Sequence, residues 1–113
     1  MPTSFTGRCE GSALIDTGAT IGAVDPFVVE QLQLIPVREI EVRTTGGSHE
    51  ASTYLVGLRL GGVDLGAVEL ADATGLARNG FLALLGREFL TGRLFVYDGR
   101  SGTYRIESDD APL

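Results

Sequence analysis

At 113 residues the chain has room for one domain and one modest core. Hydrophobic content is 43% with only 7% aromatic and no Trp, so Val, Leu, Ile and Ala must build that core, while sixteen glycines favour short strands and turns over long helices. The formal charge is −6, and all nine basic residues are scattered arginines, which leaves no phosphate-tracking stripe and argues against nucleic-acid binding.

In chain order, Phe5-Thr6, a turn at Gly7-Arg8 and a strand through Ala13-Leu14-Ile15 read as an early hairpin. Asp16 opens a tight glycine-bearing turn. Asp25-Pro26 then sets an N-cap acid before a proline at the first helical position. Phe27, Val28, Leu32 and Leu34 follow at helical spacing, which predicts a short helix over 26–33 that ends before Pro36. Val37 to Thr44 alternates imperfectly, as a half-exposed strand does. Thr45-Gly46-Gly47-Ser48 is a turn, and strand character returns from Ala51 to Leu60. Gly61-Gly62 is a two-residue hairpin signal, and 71–80 reads as a surface loop. Phe81 to Leu85 is an apolar run ending at Gly86, and one or two helical turns fit Arg87 to Thr91. Leu94–Tyr97, an Asp98-Gly99 turn and Thr103–Ile106 form a last hairpin, and the acidic tail from Glu107 to Leu113 is expected to be disordered. An apolar run, a glycine turn and a short helix occur at 13–33 and again at 81–92, which suggests two similar halves. The whole reads as a small, mostly antiparallel β protein.

Cys9 is the single cysteine, which excludes an intramolecular disulfide and makes a reducing compartment the simpler expectation; it reads as a small hydrophobe near a turn. His49 is also alone, so no His-based zinc site can be assembled, and no metal or other cofactor is expected. No apolar run approaches the ~20 residues of a membrane helix, and no leader is evident, so the expectation is a cytoplasmic protein or a soluble domain of a longer one.

The chemistry concentrates at Ala13-Leu14-Ile15-Asp16-Thr17-Gly18-Ala19-Thr20. A buried strand that ends on an acid is a poor stabilising device, because an unpaired buried charge is costly, but it fixes a carboxylate at the floor of a cleft. The bare tripeptide Asp-Thr-Gly is more often an Asx turn satisfied by local N–H groups. Its apolar lead-in, its small followers and the downstream Leu84-Leu85-Gly86-Arg87 shift the balance towards a reactive acid. Asp25, Asp64, Asp72 and Asp98 all sit in cap or turn contexts, so one such acid is present per chain, whereas paired-carboxylate chemistry needs two.

Together these residues resemble the retropepsin-like aspartic proteases. Leu14-Ile15-Asp16-Thr17-Gly18-Ala19 matches that family's active-site turn, and Leu84-Leu85-Gly86-Arg87 its later apolar-apolar-Gly-Arg motif, with Glu88 where Asp or Asn is commoner. Thr45-Gly46-Gly47 is suitably placed for the family's flap tip, and the resemblance covers about residues 5–106, within a domain taken as 1–107 and followed by an acidic tail at 108–113.

The resemblance implies an all-β fold, a small closed barrel with one or two short helices, working as a homodimer. It implies an aspartic endopeptidase in which two Asp16 carboxylates, one per subunit, activate a water against an extended peptide or an unfolded protein segment. Asp16, Thr17 and Gly18 would be the catalytic turn, with Thr17 bonding across the axis. Ala19, the flap residues Thr45, Gly46 and Gly47, and Leu82 would contact substrate, alongside Ile21 and Val24. Gly86 and Arg87 would be structural, Arg87 through an ion pair with a carboxylate such as Asp25 or Glu88. The alternative is a non-catalytic dimerisation or peptide-binding module that keeps the fold, favoured by short terminal strands; a third possibility is a lone lobe of a two-lobed protease.

Overall fold

A computed structural model describes residues 7–108. Among these residues eight strands carry the fold: β1 (Ala13–Ile15), β2 (Gly22–Val24), β3 (Pro36–Thr44), β4 (Gly47–Leu60), β5 (Val63–Asp72), β6 (Ala83–Leu85), β7 (Arg93–Asp98) and β8 (Thr103–Ser108). Two short helices, α1 (Pro26–Leu32) and α2 (Arg87–Leu90), and a single 3-10 turn at Ala77–Asn79 complete it. The chain is all-β in class.

Six strands form one sheet in the order β1-β6-β2-β5-β4-β3, and β7-β8 form a separate two-stranded sheet. The large sheet is a curled half-barrel with β1 and β3 at its two edges, and among the described residues no ladder joins those edges into the closed barrel expected. The pairing is mostly antiparallel, as expected, in β2–β6, β3–β4, β4–β5 and β7–β8, but β1 runs parallel to β6, and β2 parallel to β5. β6 is wedged between β1 and β2, with Leu14 opposite Leu84 on one side and Ala23 opposite Leu84 on the other. The wedge has a steric condition. A Cβ on Gly22 would collide with the Leu84 carbonyl oxygen and lie 2.8 Å from Leu70 Cδ2, so only glycine lets β2 approach β6 this closely.

Local signals set most of the remaining elements. Asp25 Oδ1 accepts from the Phe27 N–H at 2.9 Å, Pro26 fills the first turn, and Gln33, at φ 52°, ends α1 in the left-handed region. Gly61 and Gly62 both have positive φ, which gives β4 and β5 a two-residue hairpin turn whose twist suits the strands. The β3–β4 turn is tighter than the four residues expected: Thr44 already pairs with Gly47 and Arg43 with Ser48, so β4 starts four residues before Ala51. β5 likewise runs to Asp72, into the segment read as loop, and the 3-10 turn lies within that segment too. Residues 7–12 hold no strand, and Phe5-Thr6, the other arm of the expected early hairpin, lie outside the described residues. Glu107 and Ser108 belong to β8, opposite Leu94 and Arg93; the rest of the expected disordered tail, 109–113, lies outside the described residues.

The core is Val24, Val28, Tyr54, Val56, Leu70, Ala83, Leu85 and Phe89, with α1 and α2 supplying Val28 and Phe89. Full burial of each larger side chain contributes about 1.5–3 kcal/mol. Of the three tyrosines expected to be half in the core, Tyr54 is buried, whereas Tyr97 and Tyr104 on the β7–β8 hairpin stand well exposed, because two strands alone cannot cover both of their faces.

Candidate active site

β1 delivers Asp16 to the end of the wedge. The Asp16 N–H continues the β1–β6 ladder by donating to the Leu85 carbonyl at 2.9 Å. Its own carbonyl accepts from the Ala19 N–H at 3.1 Å, which closes the turn. The side chain is half-buried: Oδ1 accepts from the Gly18 N–H at 2.9 Å, and Oδ2 accepts no hydrogen bond from any described residue. The Asx-turn geometry is therefore present, and it leaves one carboxylate oxygen available. Thr17 and Gly18 are exposed beside it, and Ala19 is half-buried.

What holds this turn comes from seventy residues downstream. Gly86 lies so close beneath it that a Cβ there would sit 2.7 Å from the Ala19 carbonyl oxygen and 3.0 Å from the Ile21 carbonyl carbon. The first N–H groups of α2 then find acceptors in the turn: Arg87 N–H donates to Ala19 O at 2.8 Å and Glu88 N–H to Thr20 O at 2.9 Å. Early helical N–H groups lack partners within their own helix, so the turn carbonyls satisfy α2 while α2 fixes the turn. The Arg87 guanidinium adds two bonds, Nη1 to Thr17 O at 2.8 Å and Nη2 to Thr20 Oγ1 at 2.9 Å. The expected ion pair of Arg87 with Asp25 or Glu88 is not formed. Both Asp25 oxygens are already engaged, with Phe27 N–H and, at 2.9 Å, with Ala77 N–H. The Ala77 bond first and the Phe27 bond second hold the Asp25 carboxyl below its usual range.

Thr45, Gly46 and Gly47 form the exposed tip of the β3–β4 arm. Leu82 bridges two segments: its N–H donates to Ser12 O at 2.8 Å and its carbonyl accepts from Asp25 N–H at 3.0 Å. It borders a cavity of about 790 Å³ lined also by Cys9, Val28, Val56 and Leu60, a list that does not include Asp16, Thr17 or Gly18. Val24, read as a pocket residue, also lines that cavity, although it is only 1% exposed and belongs to the core; Ile21 is half-buried. Asp64 and Asp98 are turn acids, each accepting an N–H two residues on, from Gly66 and Arg100. His49 is exposed on the arm, opposite Val42.

Three residues of structural weight were not singled out in the sequence. Thr20 receives Arg87, and only its place just after Asp-Thr-Gly-Ala hints at that. Arg38 bonds Glu69 through Nε at 2.6 Å and Nη2 at 3.2 Å, which links β3 to β5 across the buried Thr53 of β4. Arg93 stacks on the Phe89 ring at 4.7 Å and donates to Phe89 O and Leu65 O, with its Nε buried and unpaired among the described residues. No pattern in the sequence marks either arginine, since each depends on long-range pairing.

Among the described residues no group of three or more His, Cys, Asp and Glu side chains could hold a metal ion, and no helix is long and apolar enough to cross a membrane. The arrangement offers one thing chemically: a firmly positioned carboxylate with an available oxygen. No curated protein and no solved structure gives a significant match to the sequence. A family model described as Aspartyl protease matches residues 1–89, a span that takes in β1, the Asp16 turn, the β3–β4 arm and the Gly86-Arg87 clamp, and by that match the chain belongs to the aspartyl protease family.

Proposed function

We propose that the protein is an aspartic endopeptidase that works as a homodimer, with one Asp16 from each subunit facing a shared water. The observation that carries this is the clamped turn itself: a half-exposed carboxylate held by its turn with Oδ2 available, in a sequence that has one Asp-Thr-Gly. Two carboxylates a few Å apart cannot both ionise easily, so they share one proton and titrate as a pair. The ionised member takes a proton from the water, the protonated member donates to the scissile carbonyl, and the water oxygen bonds to the carbonyl carbon. The resulting gem-diol collapses as the C–N bond breaks and the leaving nitrogen is protonated.

In this reading Thr17 bonds across the axis, Gly18 keeps its N–H on the carboxylate and Ala19 leaves the floor of the cleft open. The arm tipped by Thr45, Gly46 and Gly47 closes over an extended peptide bound by backbone pairing. Cleavage of an unfolded protein at acidic pH and high protein concentration, blocked by a statine-type transition-state mimic, is the expected result. Asp16→Asn lowers it by about 10²–10⁴-fold, the usual worth of general acid–base catalysis. If Asp16→Asn cleaves as well as the parent chain, the reading fails. The non-catalytic module has one observation on its side, that the Oδ1 to Gly18 bond is what an ordinary Asx turn makes, and it is the outcome if folded dimers form and cleave nothing.

A further inference from the structure

We infer that Asp25 is a positioning residue for the proposed cleavage: its buried carboxylate holds the segment that carries Leu82, and so sets how well a peptide binds without entering the chemistry at Asp16. The inference rests on the protease reading and adds to that site a residue outside the catalytic turn.

Capping α1 accounts for only half of the Asp25 side chain. A helix cap needs one oxygen, and Oδ1 supplies it to the Phe27 N–H at 2.9 Å. Oδ2 accepts instead from the Ala77 N–H, also at 2.9 Å, across 52 residues of sequence. Asp25 is only 7% exposed, and a bond to an ionised acceptor is about twice as strong as one between neutral groups. The second oxygen is therefore a strong tie between α1 and the 3-10 turn.

The segment so tied moves as a unit. Within it the Asn79 N–H donates to Leu76 O at 3.0 Å, the Gly80 N–H to Ala77 O at 3.0 Å and the Phe81 N–H to Leu76 O at 2.9 Å. Val24 and Asp25 grip it at its start, middle and end. Val24 O accepts from the Ala73 N–H at 3.0 Å, Asp25 Oδ2 takes the Ala77 N–H, and the Asp25 N–H donates to Leu82 O at 3.0 Å. The outer two grips are backbone to backbone and survive a change of side chain. The middle one exists only because residue 25 has a second acceptor.

Leu82 stands where that grip matters for a peptide. It leads directly into β6, and the carbonyl of Leu85 at the end of β6 receives the Asp16 N–H. Three strand residues span about 10 Å, so a peptide extended across Asp16 reaches Leu82. On its other side the Leu82 side chain presses on Gly11, where a Cβ would lie 2.7 Å from Leu82 Cδ1. Leu82 thus keeps one position only while the segment before it is held.

The test is Asp25→Asn in the full chain. The amide keeps one oxygen for the α1 cap but turns an NH2 group towards the Ala77 N–H, donor against donor. Amide exchange at Ala77 quickens by about tenfold or more, the usual worth of a hydrogen bond to a charged group, while exchange at Phe27 changes little. In peptide cleavage KM rises several-fold and kcat holds, a split that a general loss of folded protein does not produce. Asp25→Ser, which caps α1 but is too short to bridge to Ala77, gives the same split. Unchanged Ala77 exchange in both folded variants overturns the inference, as does a fall in kcat at constant KM. A parent chain that cleaves nothing sinks the protease reading, and quickened Ala77 exchange then still supports the hold of Asp25 on the segment.

Discussion

Substituting Gly86 by alanine tests the clamp most directly. Gly86 has φ −96°, a conformation any residue adopts, so the substitution acts through space alone. The new methyl lies 2.7 Å from Ala19 O, about 0.7 Å short of the 3.4 Å at which ordinary contact begins, and its other near neighbours, Ile21 C and O at 3.0 and 3.1 Å, are also backbone. No side chain can rotate away, so the 19–21 segment must lift from α2. A lift of that size takes the Arg87 N–H to Ala19 O bond from 2.8 Å to about 3.5 Å, past the usual 3.2 Å limit, and strains the neighbouring Glu88 to Thr20 bond. Two such bonds at about 0.5–1.5 kcal/mol each, with overpacking at about 1–3 kcal/mol, give a loss of about 2–6 kcal/mol. That is a large part of the ~5–15 kcal/mol a domain of this size has, and it lowers Tm by at least about 8 °C. Urea unfolding followed by far-UV circular dichroism, suited to a chain without Trp, reads the loss as a lower midpoint at constant slope. Gly57→Ala is the control: its Cβ meets nothing within 4 Å, and removing a glycine from a strand raises stability by about 0.5–1 kcal/mol. If Gly86→Ala unfolds at the parent midpoint, the turn does not rest on Gly86 and the account of the clamp is wrong.

Arg87→Ala frees Thr17 O and Thr20 Oγ1 while leaving the core intact, so Tm falls by only about 4–8 °C, the equivalent of ~1 kcal/mol, and amide exchange at Thr17 and Gly18 quickens. Arg87→Lys does not restore the slow exchange, because one ammonium cannot reproduce a fork that reaches two separate acceptors. Phe89→Ala removes a ring that is 3% exposed and supports Arg93, and it costs about 3–5 kcal/mol by urea titration. Acid weakens the fold through Asp25, held below its usual 3.8 by the Ala77 and Phe27 N–H groups, and Glu69, held below its usual 4.5 by Arg38 and Thr53. In both the folded-state pKa is the lower one, so the contribution is complete above the usual value and is lost as pH falls through the folded pKa. The urea midpoint therefore drops as pH is taken below about 4.5, and Asp25→Asn, which caps but does not titrate, shows a smaller drop; equal drops in the two proteins refute the assignment.

Elements set by neighbouring residues were legible in the sequence. Asp25-Pro26 announces α1, and Gly61-Gly62 announces the β4–β5 turn, because capping and turn chemistry act over two to four residues. The parallel pairings of β1 with β6 and β2 with β5 were not legible: strands of three residues have too little length to show a period, and their partners lie tens of residues away. The first part of β4 was missed for a different reason. Ser48, His49 and Glu50 are exposed on an arm solvated on both faces, so nothing selects an apolar alternation there. At the site, Asp16 stood out by composition, yet the partners of Arg87 did not. The family resemblance implied a carboxylate, and the structure gives it a carbonyl and a hydroxyl.

That exchange of partners bears on how the acid is used. Had Arg87 reached a carboxylate beside the turn, its charge would have been spent on a local ion pair. Bonded to the Thr17 carbonyl and the Thr20 hydroxyl, it holds the peptide that joins Thr17 to Gly18, and so sets the direction of the N–H that holds Asp16 Oδ1. Rigidity at the acid is therefore imported from the downstream motif and not generated by the Asp-Thr-Gly segment, whose small residues have little packing of their own. In this chain the Asp-Thr-Gly tripeptide is held by a glycine and an arginine some seventy residues later. The pair of motifs, and neither one singly, is what makes a fixed carboxylate of it.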